Sequence, residues 1–258
     1  MKTINTNIAY KEEGTGEVLL LIHGFCGSSG YWGKVIPMLS EKYRVIAIDL
    51  PGHGESKVLD SVNDIEQYAL ILKDFLEELG IEKVTMFGHS LGGYITLAFA
   101  EKYNQYLSGF SLIHSTGFPD SEEAKEGRIA SADKIEKAGI DIFIDGLVPK
   151  LFAPENVESH KQSMEEVKKI GYEVQPQGAK NALLAMKNRK DRTEILEKTE
   201  LPVLLIAGES DQLIPADKTF TASGDNIKQV VIGDAGHMSM YEAPDELGNA
   251  ILTYLNHG

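Results

Sequence analysis

Apolar residues along this chain fall into short unbroken runs separated by stretches of helical spacing. The runs at residues 18–22 (VLLLI) and 44–48 (RVIAI) are too short for helices and lack the alternation of a half-exposed strand, so they predict buried strands, the first covered on both faces, and the runs at 109–114, 203–207 (VLLIA) and 229–232 predict further strands. Val84, Met86 and Phe87 predict another. Between them, apolar positions recur every three or four residues. Residues 31–42 place Trp32, Val35, Ile36 and Leu39 on one side, and residues 64–79 do the same with Ile65, Ala69, Leu72, Phe75, Leu76 and Leu79 before Gly80, a helix-terminating position. A further helix is expected to carry Leu91, Tyr94, Ile95, Ala98 and Phe99, and a last one spans residues 244–256. Residues 2–12 alternate weakly around Asn5, Thr6 and Asn7, which suits an edge hairpin. Strands alternating with helices imply an α/β fold, a parallel sheet covered on both faces.

The pattern changes in the middle. Of the 80 residues at 121–200, 30 are Asp, Glu, Lys or Arg, against 34 of the other 178, and the one aliphatic run, 140–144, is broken by Asp141. This texture is helical, with breaks at Pro149, Pro154, Gly171 and Pro176. It predicts a helical cap inserted at residues 119–200 between two core segments, 1–118 and 201–258. A length of 258 residues suits one such domain with a single core.

Charge narrows the partners. A formal net charge of −14 argues against nucleic acid and anionic membrane, both of which are recognised by clustered Lys and Arg. Cys26 is the single cysteine, which excludes an internal disulfide and a cysteine-based zinc site. No apolar leader and no run of 18 apolar residues occur, so a cytoplasmic location is the expectation. No metal-ligand spacing or phosphate-binding glycine loop is found; no cofactor or metal is expected, and oligomeric state is not legible.

The candidate chemistry centres on Gly88, His89, Ser90, Leu91 and Gly92, a G-x-S-x-G pattern where a strand becomes a helix. A serine on so sharp a turn has a strained backbone, and glycines on either side remove the Cβ atoms that would collide with the adjoining strand and helix. The hydroxyl of Ser90 then points out of the sheet edge, and the Leu91 amide is an unpaired donor at a helix N-terminus. A serine needs a base, and the base a third group to orient it. Of seven histidines, His23, His89, His53, His114, His160 and His257 sit in turns, a strand end, the charged insertion or the terminus. His237 follows the last expected strand in a glycine-flexed loop at the sheet's C-terminal edge, where open α/β sheets place their sites. For the acid, Asp211 just after the strand at 203–207 is preferred to Glu209 and Asp234.

The chain order serine, acid, histidine, with His23-Gly24-Phe25, the loop at 49–56 (DLPGHGES), Gly88 to Gly93, Gly208-Glu209-Ser210-Asp211 and Gly236-His237-Met238, resembles the α/β-hydrolase fold, in particular capped bacterial carboxylesterases and arylesterases. The resemblance implies a mostly parallel eight-stranded sheet with one antiparallel strand near the N-terminus. It further implies Ser90 as nucleophile, Asp211 as acid, His237 as base, the amides of Phe25 and Leu91 as oxyanion hole, and a structural role for the 49–56 loop. An aspartate in place of Ser90 would mark dehalogenases and epoxide hydrolases, and it is absent. Cys26 reads as a small loop filler.

The expected activity is hydrolysis of small to medium carboxylic esters through an acyl-enzyme. Alternatives on the same triad are cleavage of a C–C bond, lactone or amide, or perhydrolysis, and from another class a ligand receptor on this fold. Phe25, Trp32, Met238 and Met240, with Phe143, Leu147, Leu151 and Met186 of the insertion, are candidates for the substrate wall. The triad itself is expected to rest wholly on the sheet domain.

Overall fold

The computed structural model describes residues 2–3, 6–59 and 61–256. Eight strands form one sheet: β1 (Lys2–Thr3), β2 (Ala9–Glu13), β3 (Val18–Ile22), β4 (Arg44–Ile48), β5 (Val84–His89), β6 (Leu107–Ile113), β7 (Val203–Gly208) and β8 (Ile227–Ile232). Their order is β1-β2-β4-β3-β5-β6-β7-β8, and β2 alone runs against the rest. The runs expected at 18–22 and 44–48 are β3 and β4 to the residue, because a strand covered on both faces is apolar along its covered length, which in β4 begins after the half-buried Arg44. Of the edge hairpin, Asn5 lies outside the described residues; Lys2 and Thr3 pair with Tyr10 and Ala9.

The core helices are α1 (Ile36–Ser40), α2 (Ile65–Glu78), α3 (Leu91–Tyr103) and, after the insertion, α9 (Ala216–Thr219), α10 (Ser239–Glu242) and α11 (Pro244–Leu255). α2 starts at the capping box made by Asp64 and Gln67 and stops before Gly80, whose φ of 65° only glycine adopts cheaply. α3 packs on β5, β6 and α2, while α1 contacts α11. The helix expected at 31–42 is two pieces: a 3-10 turn at Ser29–Trp32 and then α1. Apolar spacing continues across Gly33 and Lys34, but the helix does not, and it restarts at Ile36 with Pro37 in its first turn, where proline's missing N–H costs nothing.

Between β6 and β7 the described residues form no strand. They form α4 (Glu122–Ala138), α5 (Ile140–Leu147), α6 (Lys161–Tyr172), α7 (Pro176–Lys187) and α8 (Thr193–Lys198). α4 packs on α5 and α7, and α5 on α6. Pro149 and Pro154 lie in 3-10 turns between helices and Pro176 opens α7, whereas Gly171 stays inside α6, where its bare Cα receives the side chain of Ile144. Among the described residues no helix is long and apolar enough to cross a membrane.

Candidate active site

Ser90 has φ 50° and ψ −112°, a strained conformation for a residue with a side chain. The turn is held from outside: the Ser90 amide donates to Ile113 O at 2.9 Å, and Ser115 Oγ donates to Ser90 O at 2.8 Å. A Cβ on Gly88 would meet Gly92 O at 2.4 Å, and one on Gly92 would meet Ile22 O at 2.4 Å. Both glycines are therefore required sterically. Leu91 opens α3, so its amide has no partner within the helix, and neither it nor the Phe25 amide has an acceptor among the described residues.

His237 and Asp211 meet from two different loops. His237 Nδ1 stands 2.8 Å from Asp211 Oδ2, while Asp211 Oδ1 accepts from the amides of Leu213 at 2.9 Å and Ile214 at 3.0 Å. Burial pushes the Asp211 carboxyl upward, but the interaction with His237 outweighs it and holds the group well below the usual carboxylate range. Glu209 and Asp234 are exposed, and the Asp234 amide reaches Glu209 Oε2 at 3.4 Å. They stand apart from His237.

His114 was not singled out by its sequence, yet it lies at the centre. It is fully buried at the end of β6, with φ 49°. The Gly208 amide donates to its Nδ1 at 3.1 Å, which leaves the proton on Nε2, 2.7 Å from Ser239 Oγ. In this neutral tautomer the 3.4 Å approach of Nδ1 to Asp211 Oδ2 is a contact and not a hydrogen bond, and burial keeps the imidazole's pKa low. His89 is likewise held neutral by burial and donates from Nε2 to His237 O at 2.9 Å. Position alone could have found His114: strand ends at this sheet edge form the site.

His114, Asp211 and His237 also place potential metal-ligand atoms within 4.8 Å of one another. Apart from His237 Nε2, their nitrogens and oxygens are already engaged with each other, with Gly208, with Ser239 and with the amides after Asp211, so a metal held by all three would have to break these bonds.

The other histidines serve structure or lie away. His23 Nε2 accepts from the Leu50 amide at 2.9 Å, and burial lowers its pKa to about 3. Asp49, in the 49–56 loop, accepts from the amides of Ser29 at 2.6 Å and Glu55 at 2.9 Å, a structural arrangement. His160 contacts Ser159, and His257 lies outside the described residues. Cys26 is buried with φ 57°, and burial pushes its thiol pKa well above the ordinary value, away from reactive thiolate.

Ser90 and His237 open on one cavity of about 440 Å³. Phe25, Leu147, Leu151, Met186 and Met238 line it as expected. Trp32, Phe143 and Met240 do not. Trp32 and Met240 are wholly buried in the core, Trp32 because the break after its 3-10 turn leaves it facing inward. Phe143 packs edge-on against Phe25, ring centroids 5.9 Å apart, and so supports the wall from behind. Tyr94, Ile214, Arg128, Arg189 and Lys218 also line the cavity and were missed, Arg128 because a charge-rich helix reads as solvated surface.

The insertion reaches the histidine itself. The His237 amide donates to Leu151 O at 2.8 Å, the Ala153 amide donates to Glu242 Oε1 at 2.7 Å, and a Cβ on Gly236 would meet Ala153 N at 2.4 Å. The expectation that these catalytic candidates rest wholly on the sheet domain is corrected: the loop carrying His237 is hung partly from residues 151–153.

This sheet order, with a serine elbow after β5 and a histidine beyond β8, is the arrangement of one known fold family. Residues 17–134 match the family described as alpha/beta hydrolase fold. A thermophilic esterase from Thermogutta terrifontis, in a malate-bound structure, superposes with a TM-score of 0.92 at 32% identity, covering 97% of this chain and 93% of that one. The chain belongs to the α/β-hydrolase family. Among curated relatives, the dihydrolipoyllysine-residue acetyltransferase component of the acetoin cleaving system of Pseudomonas putida is 29% identical over 248 residues, 93% of this chain but 64% of that protein, so the chain spans less than two thirds of its length. The 2-hydroxy-6-oxo-6-(2'-aminophenyl)hexa-2,4-dienoic acid hydrolase of Metapseudomonas resinovorans is 25% identical over 256 residues, 96% of this chain and 87% of that protein.

Proposed function

We propose that the protein is a cofactor-independent serine hydrolase acting on small to medium carboxylic esters, with Ser90 as nucleophile, His237 as general base and Asp211 as its orienting acid. The observation that carries this reading is the strained Ser90 turn sharing one cavity with a histidine whose Nδ1 is 2.8 Å from a buried carboxylate. Asp211 fixes the proton on His237 Nδ1, which leaves Nε2 free as the base. His237 takes the Ser90 proton as Oγ attacks the ester carbonyl, and the amides of Phe25 and Leu91 receive the developing oxyanion. Collapse of the intermediate breaks the ester C–O bond, and the departing alkoxide takes the proton from His237. Water, deprotonated by the same imidazole, then attacks the acyl-enzyme and releases the acid and Ser90. The segment at 119–200 acts as a cap, supplying Leu147, Leu151 and Met186 to the substrate wall. Similarity to the Thermogutta esterase supports the ester as substrate.

A second reading is favoured by the relative named as a hydrolase of an unsaturated oxo acid: the same triad cleaving a C–C bond beside a ketone. A fluorophosphonate probe with peptide mapping tests the nucleophile, and parallel assays with p-nitrophenyl esters, a lactone, an amide and a 1,5-diketone test the bond. Stoichiometric labelling of Ser90 and turnover of the esters are expected. Labelling elsewhere removes the nucleophile assignment, and turnover of the diketone alone moves the activity to the second reading.

A further inference from the structure

For a chain of net charge −14, the cavity wall has the opposite sign. It carries Arg128, Arg189 and Lys218 against one carboxylate, Asp120. Arg189 is buried and largely engaged: its Nη1 bonds Asp120 Oδ1 and donates to Met186 O at 3.0 Å, its Nε donates to Phe118 O at 3.0 Å, and the group stacks over Tyr94 at 4.1 Å, with only Nη2 given no hydrogen-bond partner among the described residues. Asp120 is consumed with it, because Arg128 Nε takes its other oxygen at 3.1 Å. Beyond Arg189 Nη2, what remains unspent is the terminal edge of the Arg128 guanidinium and the whole Lys218 ammonium, which has no ion-pair partner among the described residues and lies 5.4 Å from the Phe118 ring. Both therefore converge on residues 118–120, one at Phe118 and one at Asp120. The acids next to them in sequence, Glu122, Glu123 and Asp217, are exposed and off the wall, and Asp211 is buried behind His237.

Two cations gathered on one short segment of a cavity wall, with aromatic and aliphatic side chains around them, suit a ligand with an apolar body and an anionic end. We propose that the substrates are esters bearing a free carboxylate, such as hemiesters of dicarboxylic acids, with the carboxylate held by Arg128 and Lys218 while the ester carbonyl lies at Ser90. This rests on the ester-hydrolase reading for its chemistry and on the wall alone for its anion.

The test compares kcat/KM for p-nitrophenyl butyrate with that for mono-p-nitrophenyl esters of succinate, glutarate and adipate, in the native protein and in Arg128→Gln and Lys218→Gln. The best hemiester should exceed the neutral ester by about tenfold at low salt, as charge-assisted hydrogen bonds from the half-buried Arg128 and the exposed Lys218 allow. The ratio should fall about fivefold in each variant and shrink as salt is raised. Glutarate binding to Ser90→Ala, followed by calorimetry, provides a readout independent of turnover and should weaken by a similar factor when either cation is also removed. Butyrate ester turnover without any preference for hemiesters overturns the anion subsite and leaves the esterase standing. Glutarate binding that depends on both cations, with no ester hydrolysed, keeps the subsite and overturns the esterase. Glutarate binding unchanged in both variants, or none at all, overturns the proposal.

Discussion

The backbones of Gly52 and Gly178 touch: a Cβ on Gly178 would stand 2.6 Å from the Cα of Gly52, which itself has φ 77°. Gly52 belongs to the 49–56 loop of the core and Gly178 to α7 of the insertion. The contact is completed by the Gln175 amide donating to Gly52 O at 3.1 Å and Gln175 Nε2 donating to Ser56 O at 3.2 Å. A loop tied down by Asp49 and His23 thus also anchors the inserted helices.

Gly178→Ala should therefore separate the two backbones and not merely fill space. A methyl group with backbone on the other side has nowhere to go, and overpacking of this kind costs about 1 to 3 kcal/mol. Alanine has the better helix propensity, so a neutral or raised unfolding free energy in urea would show that α7 yields easily at this point.

Asp211→Asn should lower kcat by about 10⁴-fold by admitting the wrong imidazole tautomer. Glu209→Gln and Asp234→Asn should stay within about tenfold of the native rate, since both side chains are exposed and neither touches His237. Steady-state ester assays on the three variants decide it: a larger loss at either exposed acid than at Asp211 would reassign the role.

Acid should destabilise the fold well before its carboxylates titrate. Burial lowers the pKa of His23 to about 3 and of His53 to about 4, and also lowers His89 and His114. In the unfolded chain these groups take up protons near pH 6.5, so below that pH the unfolded state binds more protons and stability falls, continuing until the folded-state pKa is reached. Each contributes up to about 1.4 kcal/mol per pH unit in this window. Between pH 6 and 5, His53→Gln should reduce the slope of unfolding free energy against pH by about that amount. A slope unchanged in the variant would mean that His53 is already protonated in the folded protein.

Legibility along the chain followed physical simplicity. β3 and β4 could be read to the residue because a doubly covered strand leaves no polar position past its first residue, the half-buried Arg44 in β4, and Gly88 and Gly92 because the serine turn admits nothing larger. Residues 31–42 read as one continuous helix because apolar spacing does not register the break between the 3-10 turn ending at Trp32 and α1. His114 and the Arg128 and Lys218 wall were missed for a different reason: their roles come from strands and helices far apart in sequence meeting at one edge, which no local pattern encodes.

The apolar side of the cavity yields the last expectation, a contrast between residues that line it and residues that support it. Met186 and Leu147 face the cavity from α7 and α5, so Met186→Ala and Leu147→Ala should enlarge it and raise kcat/KM for long acyl chains relative to short ones, with about 1 to 3 kcal/mol per methylene available for discrimination. Trp32 is wholly buried away from the wall, so Trp32→Ala should cost about 3 to 5 kcal/mol of stability and leave the acyl-length profile of the remaining folded protein unchanged. Phe143 lies between these cases, because its ring packs on Phe25, whose amide is a proposed oxyanion donor. Phe143→Ala should lower kcat for all chain lengths alike by loosening Phe25. Acyl-series kinetics beside urea unfolding of all four variants checks the contrast. A changed length profile in Trp32→Ala, or an unchanged one in both Met186→Ala and Leu147→Ala, would mean that substrate lies along a different wall.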